Sequence, residues 1–161
     1  MTSKIKIAAT AVSVILVIAA TAYVFMTPYN RIAGVRIGGT LTPAPADWNS
    51  VNGQGVVWLK TGGFPPFVVN VIYSTDEGGI ITATRPDGGL WAQRVRDRGG
   101  NGWLRIGEAV YEMEAFEIHD DERIAMMEQW ASKSGRTLDE PLYEGSEPLR
   151  DWEVFFWKPR S

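Results

Sequence analysis

Five arginines crowd one short stretch of an otherwise acidic chain. Arg85, Arg94, Arg96, Arg98 and Arg105 fall between Ile80 and Ile118, with only Asp87 and Asp97 close by. A guanidinium group is a rigid fork of donors suited to phosphate or carboxylate. The local pattern reads as a strand Ile80–Thr84, a turn Arg85–Gly89 and a short helix Leu90–Arg96. A Gly-rich turn Gly99–Gly102 then leads to strands Trp103–Ile106 and Ala109–Ile118. Backbone N–H groups at a strand–turn–helix junction add neutral donors, so the stretch predicts an anion site. The bland alternative is a solvated rim, with the arginines paired to Asp87, Asp97 and nearby glutamates.

Other chemistries find little footing. The sequence has no cysteine, which excludes disulfides, thiolate metal sites and a Cys nucleophile. His119, the single histidine, stands at a strand end and reads as a polar boundary residue. Asp120, Asp121 and Glu122 suit the start of a helix and lack the spacing of a calcium loop. Glu112, Glu114 and Glu117 read as exposed strand positions. No nucleophile elbow, phosphate-binding P-loop or zinc-protease helix is present.

The elements that must hold the arginines are mostly strands. Val56–Leu59, Phe67–Tyr73 and Ile80–Thr84 precede the short helix, separated by Gly- and Pro-rich turns. In Ala109–Ile118, Tyr111, Met113 and Ala115 share one face, and Glu112 and Glu114 the other. Asp120 is the expected cap of one clear helix, whose apolar stripe is Ile124, Met127, Trp130 and Ala131. In Trp152–Trp157, residues Trp152, Val154 and Phe156 share a face and Phe155 and Trp157 take the other. This tail is either a last barrel strand or a partner-facing strand, because both faces are apolar. The soluble part, residues 51–161, is therefore predicted to be mainly β, a small barrel with one or two helices. Residues 31–50, with Pro43 and Pro45, read as a linker leading into it.

Residues 1–30 are of another kind. Ile7–Met26 is uncharged and apolar, about the length that spans a bilayer, with Lys4 and Lys6 before it and Pro28 after. An uncleaved anchor is one reading. A signal peptide cut near Ala20-Thr21-Ala22 is the other, although Val24, Phe25 and Met26 prolong the apolar run. The expected arrangement is a single pass through the inner (cytoplasmic) membrane, with the C-terminal domain on the periplasmic or extracellular side. The formal charge is −3, from 16 basic and 19 acidic residues; without Lys4 and Lys6, 14 face 19 and the balance is −5. That disfavours nucleic acid as a partner.

The order of elements resembles the split β-barrel of pyridoxamine-phosphate-oxidase-like flavoproteins, closest to the deazaflavin-dependent nitroreductase branch. The resemblance covers about Asp47 to Lys133. It is carried by Val56–Gly63, Ile80–Thr84, Gly89-Leu90-Trp91-Ala92-Gln93-Arg94-Val95, the pair Gly102–Ile106 and Ala109–Ile118, and Asp121-Glu122-Arg123. It implies a membrane-tethered oxidoreductase, usually a homodimer, binding FMN or a deazaflavin and reducing a small organic acceptor. The matching positions for the cofactor are Lys60, Thr82, Thr84, Arg85, Trp91 and Arg94. Arg85 and Arg94 would hold phosphate, and Trp91 would flank the ring. The loop Thr61–Pro66 has only Lys60 as a basic neighbour, and Arg94 stands where the branch tends to carry Asn. Those departures support a second expectation: a barrel without cofactor, serving as a non-enzymatic accessory subunit of a membrane complex.

Overall fold

The computed structural model describes residues 2–53, 55–86 and 88–160. Asp87, expected beside the arginines, lies outside the described residues. Helix α1 runs Thr2–Phe25. Within it, Ile7–Phe25 has a mean hydropathy of 2.3 and no burial against the rest of the chain. By length and composition it can cross a membrane.

Six antiparallel strands close on themselves. After the short β1 (Thr40–Leu41) come β2 (Val56–Thr61), β3 (Phe67–Asp76), β4 (Gly79–Thr84), β5 (Asn101–Ile106), β6 (Ala109–Ile118) and β7 (Glu153–Pro159). The pairing runs β2–β3–β4–β7–β6–β5 and returns to β2, while β1 lies parallel on β6. Closure leaves the six barrel strands without an open edge. The fold is mainly β, as the strand-rich sequence predicts.

Alternation along the strands sorts the side chains into two cores. Phe155 and Trp157 face the interior with Leu59, Tyr73, Leu104 and Met113. Val154 and Phe156 face outward, where Met127, Trp130 and Ala131 of α3 (Asp120–Ser132) cover them. The aromatic tail is therefore the closing strand of the barrel. Its reading as a partner-facing strand is corrected: Trp152 and residues Val154–Trp157 are all buried. Covering by α3 on one side and the interior on the other is why both faces are apolar.

Trp157 dictates two glycines. A Cβ on Gly102 would lie 2.7 Å from the Trp157 ring, and one on Gly79 would overlap the Trp157 carbonyl oxygen. Only hydrogen fits at these close approaches.

Helix α2 (Leu90–Arg98) closes one end of the interior with Trp91, Ala92 and Val95. Helix α3 docks on β3 through polar side chains as well. Trp130 Nε1 donates to Ile72 O at 3.2 Å, and Gln129 Nε2 to Thr75 O at 2.8 Å. Its capping differs from expectation. His119 occupies the cap position and makes no side-chain cap bond, while Asp120 is the first helical residue, with φ 54°.

The segment read as a linker is built into the barrel. Met26 O accepts from the N–H groups of Val35 and Arg36 at 2.8 and 3.0 Å. Gly34 and Val68 exchange backbone bonds at 2.8 and 2.9 Å. Trp48, on a short 3-10 turn (Trp48–Val51), packs edge-on to Tyr111 in the core, centroids 5.2 Å apart. The end of α1 is thus held against β3.

Candidate functional site

The arginines leave the α2 region in different directions, and most find partners within the protein. Arg94 is buried, at 7% exposure. Its Nε donates to Thr61 Oγ1 at 2.9 Å, and its Nη2 to Pro65 O at 2.6 Å. The guanidinium also lies 5.2 Å from the Phe67 ring centroid. Burial pushes its pKa below the ordinary arginine value, and the Arg98 charge adds to that. One turn further on, Arg98 Nη1 donates to Phe64 O at 2.9 Å. Two arginines of α2 therefore clamp two successive carbonyls of the β2–β3 loop.

Arg96 faces the other way. Its Nε donates to Glu117 Oε2 at 2.7 Å, and Nη2 bonds Glu117 Oε1. Nη2 also lies 2.9 Å from Glu153 Oε2, an ion pair without the alignment of a hydrogen bond. Arg105 Nη1 donates to Ile37 O at 2.9 Å and Nη2 to Glu108 at 2.6 Å, over the face of Trp58. For Arg96 and Arg105 the paired-rim alternative describes the contacts, with Glu117, Glu153 and Glu108 as the partners.

The Arg96 hydrogen bonds hold the Glu117 carboxyl below its usual pKa. A carboxylate depressed in the folded state stabilises above its unfolded pKa, near 4.3, and loses that contribution as pH falls through the folded value. At pH 7, Glu117→Gln is expected to cost up to about 1 kcal/mol, because the pair is partly exposed. At pH 3 the difference from wild type shrinks. Urea midpoints at the two pH values check this.

Of the six positions matched to a cofactor site, three come together. Thr84, Arg85 and Trp91 line one hollow of about 400 Å³, with Asn70, Trp152 and Tyr143. The other three lie elsewhere. Thr82 is fully buried in the barrel, where Oγ1 accepts from Trp157 Nε1 at 2.9 Å. Arg94 holds the β2–β3 loop. Lys60 sits 5.0 Å from the Trp103 ring centroid and lines a separate hollow near the end of α1.

The hollow at Arg85 has a polar end and an aromatic wall. Thr84 Oγ1 accepts from Gly89 N at 2.9 Å, and that bond leaves its O–H free to donate. The Arg85 side chain is exposed and makes no hydrogen bond or ion pair among the described residues. Asn70 Nδ2 donates to Asn30 O at 3.1 Å, while its buried Oδ1 has no partner there. Trp91 is 7% exposed and stands edge-on to Phe155, centroids 4.9 Å apart. It is a core residue whose margin reaches the hollow.

Asn70 and Tyr143 went unremarked as site residues in the sequence. Asn70 is polar inside an otherwise apolar strand run, and that interruption was the available signal. Tyr143 sits in the irregular stretch before β7 and carries none. Among the described residues, no three His, Cys, Asp or Glu side chains gather as a metal site. The chain matches no family model and no curated protein. Neither comparison links it to the split-barrel flavoproteins.

Proposed function

We propose that the chain is a membrane-anchored β-barrel whose hollow at Arg85 binds a small anionic ligand with a flat apolar body. One observation carries this reading. The Arg85 guanidinium, unpaired among the described residues, and the orphaned acceptor Asn70 Oδ1 line the same aromatic-walled hollow. Its volume of about 400 Å³ falls in the range of small-molecule sites. FMN and the deazaflavins have the required chemistry: a phosphate for Arg85 and Thr84, a flat ring for the wall, and a ring N–H for Asn70. A bound flavin would supply redox chemistry of its own; the protein's part is to hold the phosphate and orient the ring. Lys60, Thr82 and Arg94 have no part in this site.

α1 serves as the anchor in this reading, with the barrel on the periplasmic or extracellular face. A C-terminal reporter active only in the cytoplasm would refute that sidedness. The binding claim is tested on the full chain in detergent micelles by FMN titration followed through flavin fluorescence. Saturable quenching supports it; linear, unsaturated quenching up to millimolar FMN refutes it for this ligand.

A second reading is favoured by the apolar side chains around the same hollow. Ile32, Ile72 and Tyr143 line it and are all exposed. A segment of a membrane partner would cover them, making the barrel a non-enzymatic accessory subunit. Substitutions in the buried tail do not test this; Ile72→Asp and Tyr143→Asp do, through loss of a co-purifying partner.

A further inference from the structure

The loop clamped by Arg94 and Arg98 has an unusual tip. Phe64 is 86% exposed, more than any other large apolar side chain among the described residues. Its neighbours fix its position along the molecule. Phe64 and Pro66 share a hollow with Tyr23, Val24 and Phe25, the last residues of α1. The tip therefore lies level with the last turn of the apolar helix. Lys60 and Arg36 line the same hollow, and the Arg36 guanidinium is 5.2 Å from the Phe25 ring centroid.

We propose that the β2–β3 loop is a second membrane contact, with Phe64 immersed in the bilayer interface beside the end of α1. The occupant of this surface is lipid. The surface is continuous with the end of α1, so whatever surrounds Tyr23–Phe25 also surrounds Phe64. An exposed aromatic at that depth, flanked by cations, matches the pattern of interfacial anchoring. Lys60 and Arg36 stand at the level of the headgroup phosphates, where cations are attracted to anionic lipid. The clamp explains why the tip stays out. Arg94 and Arg98 satisfy the Pro65 and Phe64 carbonyls from the protein side. The loop backbone is thereby held against α2, while the Phe64 ring projects away. With both ends fixed, by α1 and by the loop, the barrel keeps one orientation to the membrane.

This inference rests on the reading of α1 as a membrane anchor, so the test includes α1. The chain has no cysteine, so single-cysteine variants give unique labelling sites. Spin labels are placed at Phe64→Cys, at Leu16→Cys in mid-α1 and at Glu77→Cys on the β3–β4 turn at the far end of β3. The full chain is reconstituted into phosphatidylcholine–phosphatidylglycerol vesicles. Power saturation then gives the ratio of oxygen to nickel-chelate accessibility at each label. The expected order is Leu16 highest, Phe64 several-fold above Glu77, and Glu77 aqueous. A deep Leu16 label with Phe64 equal to Glu77 overturns the loop contact and leaves the anchor standing. An aqueous Leu16 label overturns the anchor, and the loop contact with it. Because Phe64 is almost fully exposed, its replacement leaves the barrel packing intact.

Discussion

Trp157→Ala lowers the stability of the barrel by about 3–5 kcal/mol, the largest loss expected of any single truncation here. Trp157 is wholly buried at the middle of β7, the strand that joins β4 to β6 and so closes the sheet. Its ring lies against Gly102 and 6.5 Å from Trp91, centroid to centroid. Neither glycine beside it can supply atoms to refill the space, so the cavity stays. The indole also satisfies Thr82 Oγ1. Trp157→Phe keeps much of the volume but strands that hydroxyl, and should cost about 1–3 kcal/mol. Urea unfolding of the two variants gives the order: Ala well below Phe, Phe below wild type.

Arg94→Met is the second large effect, a loss of about 2–4 kcal/mol. Methionine roughly fills the space of the arginine stem but donates nothing. Thr61 Oγ1, itself buried, and the Pro65 carbonyl both lose a charge-assisted donor. The loop they belong to is then free to move, and amide exchange across Gly62–Phe67 should quicken in step with the lost stability. An arginine that served a phosphate ligand would behave differently. Its removal would weaken ligand binding and leave the unliganded barrel about as stable as before. Unfolding curves without ligand separate the two roles.

The barrel was legible because alternation is strong where one face is buried. In β6 the pattern Tyr111, Met113, Ala115 against Glu112, Glu114 gives the inside and outside directly. The tail Trp152–Trp157 gave both of its faces correctly but not their neighbours. Nothing local says whether a doubly apolar strand meets a helix, another sheet or another protein. Helix α3 supplies that cover from twenty residues upstream. The strand ends were less visible: β2 continues through Lys60 and Thr61, and β3 through Ser74 to Asp76, polar residues that pairing keeps in the sheet.

The arginine crowd was legible as a concentration of charge, not as an arrangement. Successive turns of a nine-residue helix point Arg94 and Arg98 to one loop and Arg96 to the opposite side. Helical periodicity gives those directions, but the acceptors are distant in sequence. Pro65 and Phe64 are about thirty residues before their donors, and Glu117 and Glu153 follow Arg96 by 21 and 57 positions. Arg85 differs because it stands in the turn before α2, where its side chain forms no ion pair among the described residues and lines the hollow.

FMN titrations of the full chain carrying Arg85→Gln or Arg96→Gln show whether the Arg85 hollow binds a phosphate. Both substitutions remove one guanidinium charge from the same neighbourhood. Loss of one charge-assisted phosphate contact corresponds to about 10- to 100-fold in affinity. The prediction is a weakening of that size for Arg85→Gln, with Arg96→Gln close to wild type. Equal weakening by both, or an affinity untouched by Arg85→Gln, would contradict a ligand site at Arg85.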